Sequence, residues 1–438
     1  MRNIIISFCL LANWSNIYCQ DGWEWENLGT MPEPVGNNAF VEGYRGDTLC
    51  YYSFTGIGSD LTPAAIHLKS WRYNTVLDEW ESLPDVDDFR GKIAAGASLI
   101  DSVIYLIGGY HVFDNFNEET SPKVHRFNTE SNVWLEDGTD IPVPVDDHVQ
   151  AVWRDSLIYL VTGWSTNTNT ASVQIYNPAL DTWTSATSVP PTSEYRAFGA
   201  SGTIIGDTIY YFGGVHIAGF NFVANKRFRK GVINPENPSE ISWEYLGEAP
   251  VEDRGYRMAC THFQNEAIWI GGAGVAYNFD ALAYSNNQVV EPLGQIRTYN
   301  TSSQNWATAE PSPFPIMDLR GIAREDEDSW VIGGGITNNR EVSDQLWRIT
   351  RATVGTNQVP FDPAKIVYRK DEIGIRSRGG EIMENAELFN ASGISSKKFT
   401  PGTDHFVIET LSLKPGIYIL KLQYKSGGIQ AHKLIVSQ

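Results

Sequence analysis

The sequence predicts an all-β fold in which six four-stranded antiparallel sheets stack around a common axis. Three observations support this prediction: an apolar strand ending in glycine recurs six times, turn residues separate short alternating strands, and no helical pattern interrupts them. The copies begin about 50 to 60 residues apart: LCYYSFTG (49–56), VIYLIGGY (103–110), LIYLVTGW (157–164), TIYYFGGV (208–215), AIWIGGA (267–273) and SWVIGGG (329–335).

Each repeat predicts its four strands in the same order. A short strand such as KIAAGASLI (92–100) leads through a tight turn into the glycine strand, and a polar loop leads to a third strand. That strand ends in an aromatic residue and Asn, and a Trp follows in the fourth: Tyr73-Asn74 with Trp80, Phe127-Asn128 with Trp134, Tyr176-Asn177 with Trp183, and Tyr299-Asn300 with Trp306. The unit that contains Trp243 has Ile233-Asn234-Pro235 instead. Glycine permits φ > 0 and close approach of neighbouring sheets, and the large Trp side chain fits between them.

The two ends of the repeat region complement each other. The sixth unit stops after three strands, whereas DGWEWENLGTMPEP (21–34) has the character of an isolated fourth strand. We expect this first strand to complete the last sheet, which closes the ring and removes an exposed edge. The double glycine, the aromatic-Asn pair and the spaced Trp resemble the Kelch repeat. The resemblance covers residues 21 to about 355 and implies a six-bladed Kelch β-propeller.

The N-terminus predicts export. Arg2 precedes an apolar stretch, Ile4 to Ala12, that is too short to span a bilayer, so residues 1–19 are interpreted as a signal peptide. A lipid-anchored Cys19 is the alternative, and no other segment predicts a transmembrane helix. Cleavage leaves Cys50 and Cys260, as two thiols or as a disulfide.

Composition excludes one class of partner. The formal net charge is −19, which argues against a nucleic-acid ligand. No metal-binding motif is present, and no metal or other cofactor is predicted.

The last part of the chain differs from the repeats. We place the propeller at 20–355 and a linker with a small C-terminal β-sandwich at 356–438. Residues 362–438 contain 11 Lys and Arg against 8 Asp and Glu, a net charge of +3, whereas 20–361 contain 21 against 44, a net charge of −23. The segments ELFNASG and LKPGIYILK and the terminal KLIV resemble the type A C-terminal sorting domain of the type IX secretion system. The resemblance implies a Bacteroidetes-type cell, secretion or surface attachment, and the secretion machinery as a partner of residues 362–438. A generic β-sandwich is the alternative.

The long loops between second and third strands predict a binding face. These loops and the connections between blades emerge on the same side of the ring. Long loops concentrated on one side of a rigid scaffold favour ligand binding on that side. The connections carry acids and arginines: Asp87-Asp88-Phe89-Arg90, Asp146-Asp147-His148, Glu194-Tyr195-Arg196, Glu252-Asp253-Arg254 and Asp318-Leu319-Arg320, with Asn37-Asn38 in the first. We select as candidate binding residues Asn38, Arg90, His148, Arg196, Arg254 and Arg320, with the loop residues Tyr110, His111, Trp164, His216 and Tyr277. The alternative is that these acids and arginines pair across blades only to order the loops.

Two classes of function are consistent with these residues. A secreted or surface-attached binding protein would recognise a glycan or a protein through this face. An enzyme is the alternative, because six-bladed Kelch propellers include sialic-acid epimerases (mutarotases), in which arginines and carboxylates would act at the channel mouth. A galactose-oxidase-like enzyme is less consistent, since such enzymes need copper with a Tyr–Cys crosslink and two His.

Overall fold

The computed structural model describes residues 17–20, 22–309, 314–351, 364–369, 372–377, 381–390, 395–425 and 429–436. The chain divides into two compact units, residues 1–352 and 353–438. No helix in these described ranges has the length and apolarity that crossing a membrane requires. The helical segments within the described ranges are single 3-10 turns, Pro63–Ala65, Asn338–Arg340 and Thr410–Ser412.

The first unit consists of six antiparallel sheets, here called blades 1 to 6, and this confirms the predicted propeller. The strands of blade 1 are Ala39–Arg45, Thr48–Ile57, Ile66–Asn74 and Glu79–Leu83. Those of blade 2 are Ile93–Ile100, Val103–Val112, Val124–Asn128 and Val133–Trp134, with Glu118–Thr120 added to the second strand. Those of blade 3 are Val149–Trp153, Leu157–Val161, Val173–Asn177 and Thr182–Ser185.

Blades 4 to 6 follow the same plan. The strands of blade 4 are Phe198–Ile205, Thr208–Ala218, Arg227–Asn234 and Asn237–Glu248, with Asn221–Ala224 added to the second strand. Those of blade 5 are Ala259–Phe263, Glu266–Ile270, Ile296–Asn300 and Asn305–Ala309. Those of blade 6 are Ala323–Arg324, Ser329–Gly333, Gln345–Arg351 and, from the other end of the unit, Trp23–Thr30. Two short ribbons lie in loops: Trp164–Ser165 with Thr168–Asn169, and Ile336–Thr337 with Glu341–Val342.

The N-terminal strand closes the ring, as the sequence predicts. Trp23–Thr30 pairs antiparallel with Gln345–Arg351, and Ile17–Gln20 adds a fifth strand outside it. Most of this outer strand belongs to the segment interpreted as a signal peptide, whose cleavage stays a prediction. Trp23 and Trp25 are buried in one hydrophobic cluster with Trp330. The first strand therefore contributes core side chains as well as hydrogen bonds to blade 6.

The repeated aromatic-Asn pair has a structural cause. The Asn side chain accepts backbone N–H groups in the turn between the third and fourth strands, as Asn74 does from Val76 and Leu77 at 3.0 Å. Asn128, Asn177 and Asn300 do the same in their blades. An Asn that bonds to backbone two or three residues ahead stabilises a tight turn.

The spaced tryptophans join neighbouring blades. The indole N–H of Trp134 donates to the carbonyl of Pro84 at 2.8 Å, and Trp183 and Trp243 donate in the same way to Thr139 and Thr187. Each acceptor lies in the connection that leaves the preceding blade. The indole ring thus packs between sheets while its one polar atom is satisfied.

The second unit contains two sheets. One has strands Lys365–Arg369, Glu372–Arg376 and His405–Glu409, and the other has Ser395–Phe399, Met383–Asn390, Gly416–Tyr424 and Ile429–Val436. Both contribute to one hydrophobic cluster that includes Ile373, Ile408, Leu388 and Leu420. The sorting role of this unit stays a prediction.

Cys50 and Cys260, whose state the sequence left open, are free thiols in blades 1 and 5.

Trp25→Ala tests the closure of the ring by the first strand. We expect the substitution to lower the free energy of unfolding by about 3–5 kcal/mol, because it removes a buried indole from a packed core. Urea unfolding of the full chain measures this change. Val76→Ala, at a turn residue that is 74% exposed, is the matched control and should change stability by less than about 0.5 kcal/mol. A loss for Trp25→Ala as small as the control's would contradict the closure.

Candidate functional site

Six residues form a closed ring at the loop-side mouth of the channel, and we call them the ring residues. Each lies at the start of the first strand of its blade or in the connection just before it, and each has a positive φ, between 47° and 64°: Asn37, Ala94, Asp147, Gly199, Arg257 and Asp318. Backbone N–H groups link them in sequence, for example Gly199 to the carbonyl of Asp147 at 2.7 Å and Asn37 to that of Asp318 at 3.0 Å. In one link the N–H of Ala94 donates to the Asn37 side chain at 2.7 Å, and the ring closes between Arg257 and Leu319 at 3.2 Å.

Three ring side chains close the channel at this level, and we call them the plug: Arg257, Asp147 and Asp318. The Arg257 guanidinium donates to Asp147 at 2.6–3.1 Å and to Asp318 at 3.1 Å. All three side chains are at most 2% exposed. The phenol of Tyr277 also donates to Asp318, at 3.1 Å, and its ring stands under the guanidinium. The Arg257 cation is therefore fully engaged by its neighbours.

The plug illustrates the cost of burying charge. Burial raises the pKa of Asp318, and the nearby Asp147 adds to the rise, although Arg257 opposes both. A buried carboxylate is tolerated only where cations and hydrogen bonds compensate for lost hydration. An L-residue with φ > 0 adds backbone strain, and such strain often accompanies functional sites. Arg257 carries both features.

A cavity of 60 Å³ lies above the plug on the loop face, and we call it the acid pocket. Its lining combines charged and phenolic side chains with three apolar aromatic rings, which we call the aromatic wall: Glu118, Asp146, Asp147, Arg257, Tyr110 and Tyr284, together with Trp164, Phe198 and Phe222. Tyr284 packs against Phe222 of this wall, with ring centres 4.8 Å apart. Trp164 and Phe222 pack edge to face with ring centres 5.5 Å apart, and both contact Phe198 in the same way. The long hairpin loops of blades 2, 4 and 5 bring Glu118, Phe222 and Tyr284 to this point.

Two carboxylic acids in the acid pocket retain protons more strongly than usual. Burial, together with the charges of Asp147 and Glu118, raises the pKa of Asp146 well above its ordinary value, and the Thr120 hydroxyl donates to it at 2.8 Å. Partial burial of the carboxyl likewise raises the pKa of Glu118, although Arg257 opposes it and the residue's outer side is exposed. The pocket therefore offers both proton donors and acceptors to a ligand.

A smaller cavity of 30 Å³ lies beside the acid pocket, and we call it the arginine cleft. It is lined by Thr168, Asn169, Ser193, Arg196, His216 and Ile217. A third cavity, of 130 Å³, occupies the channel beyond the ring, among residues of the first strands of the blades.

The structure distributes the predicted site residues over distinct places. Tyr110 and Trp164 line the acid pocket, and Tyr277 supports the plug. Arg196 and His216 line the arginine cleft. His148 and Arg320 line the channel cavity, where Arg320 donates to the carbonyl of His148 at 3.1 Å and lies 3.6 Å from Asp147.

The other predicted residues have scaffold contacts or are exposed. Asn38 is buried and donates to Ser53 at 2.9 Å. Arg90 donates to the carbonyl of Val112 at 3.0 Å. His111 is buried with Nδ1 3.1 Å from the carbonyl of Gly91. Arg254 is exposed.

Sequence reasoning did not single out Arg257, Glu118, Phe198 or Tyr284. The predicted motifs were selected by an acid followed closely by an arginine, and Arg254 fits that pattern. Membership of the ring depends instead on the position of the backbone, and at that position Arg257 is equivalent to Asp147 and Asp318. Asn37, Asp147 and Arg257 each lie two residues before the first strand of their blades, and this shared spacing is the signal that would have identified Arg257. Glu118, Phe222 and Tyr284 depend on how long hairpins fold back, which no local pattern specifies.

The comparisons with known proteins agree with this architecture. No protein-family model matches the chain. It is 26% identical over 333 residues to Kelch-like protein terF of Aspergillus terreus, covering 71% of this chain and 66% of that protein. It is 24% identical over 242 residues to Kelch-like protein 23 of Pongo abelii, covering 54% of this chain and 37% of that protein. The chain thus spans less than two thirds of the length of these relatives.

A solved structure shows the same fold. The structure of YjhT superposes with a TM-score of 0.57 at 15% sequence identity, covering 80% of this chain and 99% of that one. The repeats, the blade topology and these similarities establish a Kelch-repeat β-propeller. At this identity the likeness shows the fold alone.

Arg257→Met tests the plug. The variant leaves two buried carboxylates without their cation, so we expect a loss of about 3–5 kcal/mol in the free energy of unfolding, measured by urea titration. Arg254→Met makes the same change three residues earlier at an exposed position and should cost less than about 0.5 kcal/mol. Similar stabilities of the two variants would contradict a central role for the plug.

Asp146→Asn tests the retained proton. Because the folded-state pKa of Asp146 is raised, its protonated form stabilises the fold at pH 4, and this stabilisation declines as pH rises. The variant should therefore become progressively more stable relative to the natural protein as pH rises from 4 to 8. Unfolding titrations at both pH values measure the difference. Asp101→Asn, at an exposed turn, should show no such trend, and a flat difference for Asp146→Asn would refute the claim.

Proposed function

We propose that the propeller binds carbohydrate, with one edge of a hydroxylated sugar ring inserted into the acid pocket. The observation that carries this proposal is that an aromatic wall and several carboxyl and phenol groups line the same pocket. Sugar rings present apolar C–H faces and polar hydroxyl edges, so stacking and directed hydrogen bonds are both needed to hold them. The pocket supplies both within one small space.

The size of the acid pocket limits how the sugar enters. A volume of 60 Å³ is about twice the share of one water molecule in the liquid, so it holds part of a ring and not a whole saccharide. The remainder of the ligand would lie on the loop face. Terminal or branching sugar units, which expose one edge, suit this geometry better than the middle of a linear chain.

The electrostatics of the acid pocket favour a neutral sugar unit at this position. Arg257 is the cation in its lining, and Asp147 and Asp318 already engage it. An anionic sugar would have to displace one of these buried carboxylates, which costs several kcal/mol. The acid pocket itself is therefore a poor match for the carboxylate of sialic acid.

A sugar mutarotase is the second candidate, favoured by the raised pKa values of Asp146 and Glu118. Interconversion of anomers needs one group that donates a proton to the ring oxygen and one that removes the proton from the anomeric hydroxyl. Two carboxyl groups on one wall, both with raised pKa values, suit these roles. A galactose-oxidase-like activity has less support, since the residues described around the acid pocket include no Cys or His.

A protein ligand is the remaining alternative for the same face. Phe89, Phe116 and Phe220 are strongly exposed in its loops and would serve as apolar anchors. We also infer that binding takes place outside the cell, on the support of the predicted signal peptide and sorting domain.

Glu118→Gln tests carbohydrate binding at the acid pocket. We expect at least about a tenfold loss of affinity for a neutral sugar, because a hydrogen bond to a charged group contributes about 1.5–3 kcal/mol. Saturation-transfer NMR on the full chain with a panel of neutral sugars and sialic acid first identifies a ligand and then gives its affinity. Glu119→Gln, the next residue on the same exposed hairpin, is the matched control and should bind normally.

Three outcomes have distinct meanings. Loss of affinity in Glu118→Gln alone supports the acid pocket. Equal affinity in both variants contradicts sugar binding at the acid pocket. The absence of a saturation-transfer signal for every sugar would favour a protein ligand instead. In the same samples, accelerated exchange between the two anomers would identify a mutarotase, and unchanged exchange would identify a binding module.

A further inference from the structure

The arginine cleft contains two buried polar atoms that lack partners. Arg196 Nε and Asn169 Oδ1 have no hydrogen bond within the described part of the chain, whereas the backbone of Val223 provides a hydrogen bond to His216. Asn169 is 4% exposed, and its amide nitrogen already donates to the carbonyl of Val215 at 2.8 Å, so Oδ1 is left as an acceptor. Buried polar atoms in native proteins nearly always have partners, and a group that lacks one marks a place where a ligand or water binds.

Arginines outnumber carboxylates around the cleft, in contrast to the propeller as a whole: three arginines and one carboxylate, Glu194, act on His216. Burial and the nearby Arg227 hold the pKa of His216 below its usual value, with further contributions from Arg229 and Arg254. Residues 20–361 as a whole have a net charge of −23. A group of arginines within so acidic a region creates a local field that attracts an anion. The planar guanidinium of Arg196 is suited to a carboxylate.

The cleft and the acid pocket share walls. Trp164 lines the acid pocket and Asn169 lines the cleft, and the two are directly opposite in a short ribbon. Phe222 and Ile217 form a second pair of the same kind. Directly opposed residues in antiparallel strands have Cα atoms about 5 Å apart, so the two cavities are adjacent subsites of one surface.

We propose that the arginine cleft binds the carboxylate and a neighbouring hydroxyl of an acidic sugar unit, next to a neutral unit in the acid pocket. This inference rests on the proposed carbohydrate function and names the ligand class: a glycan that carries an acidic sugar. Arg196 donates to the carboxylate, and Asn169 Oδ1 accepts from the hydroxyl. An acidic peptide is the other possible source of a carboxylate, and the experiment below separates the two. The cleft has a volume of 30 Å³, so only the polar tip of the sugar enters it and the rest of the ring lies on the loop face.

Matched disaccharides test this subsite. Cellobiouronic acid differs from cellobiose only in carrying a carboxylate in place of a hydroxymethyl group. We expect the full chain to bind cellobiouronic acid at least about tenfold more tightly at low salt, with the preference falling as NaCl is raised. A comparison of sialyllactose with lactose tests whether the acidic unit is instead a sialic acid. The pair with the larger ratio of affinities, acidic sugar over neutral sugar, identifies which acidic unit the cleft prefers.

Variants locate the effect. Arg196→Gln should remove the preference for the acidic sugar and leave cellobiose binding unchanged, whereas the exposed Arg254→Gln should retain the preference. Asn169→Asp replaces the amide by a carboxylate of almost the same shape. The added negative charge should repel an acidic sugar, so the affinity for acidic sugars should fall below that for neutral ones. This variant gives a second test if Arg196→Gln fails to fold.

Failure of the subsite and failure of the proposed function give different results. Cellobiose and lactose binding without preference for either acidic partner overturns the subsite alone. Absence of binding to all four oligosaccharides overturns both the subsite and the proposed function. Binding of an acidic peptide with loss in Arg196→Gln, but of no sugar, overturns the sugar assignment and identifies a protein ligand.

Discussion

The ion pairs of Arg257 with Asp147 and Asp318 are the interaction on which the rest of the propeller depends. These residues belong to blades 5, 3 and 6, which are not all neighbours, so one buried guanidinium joins sheets across the channel axis. The backbone ring around them holds each residue at φ > 0, a conformation that only surrounding structure can maintain. Trp134, Trp183 and Trp243 each join a blade to the one before it, whereas the plug joins blades 3, 5 and 6 at the axis.

The plug also determines the chemistry of the loop face. It separates the acid pocket from the channel, and it commits the cation in that pocket to two carboxylates. Asp146 and Glu118 are left without a matching cation, and burial then favours their protonated forms. Arg196, which forms no side-chain ion pair among the described residues, lines the adjacent arginine cleft. A surface with carboxyl groups in one cavity and an arginine in the next is suited to an extended ligand whose charge lies at one end.

Most of the fold could be predicted from the sequence because its determinants are local and repeated. The Asn of each aromatic-Asn pair builds its own turn, and Trp134, Trp183 and Trp243 each reach one carbonyl of the preceding blade. The closure of blade 6 followed from a missing strand at one end and an extra strand at the other. The site was only partly predictable. Tyr110, Trp164 and Tyr277 follow directly from long aromatic loops, whereas Arg257 and Arg254 look alike in sequence. Arg257 is buried at the axis and Arg254 is exposed, because only the residue at the ring position reaches the axis. Which residue occupies that position depends on the length of the connection before the first strand.

A crystal structure of the full chain soaked with cellobiouronic acid would test the central claim most directly, namely that the acid pocket and the arginine cleft form one carbohydrate site. The account predicts electron density for a sugar ring edge between Glu118 and Trp164, with the carboxylate on Arg196 and the plug unchanged. Density in the channel cavity instead, or a loop face without bound sugar at saturating concentration, would contradict it.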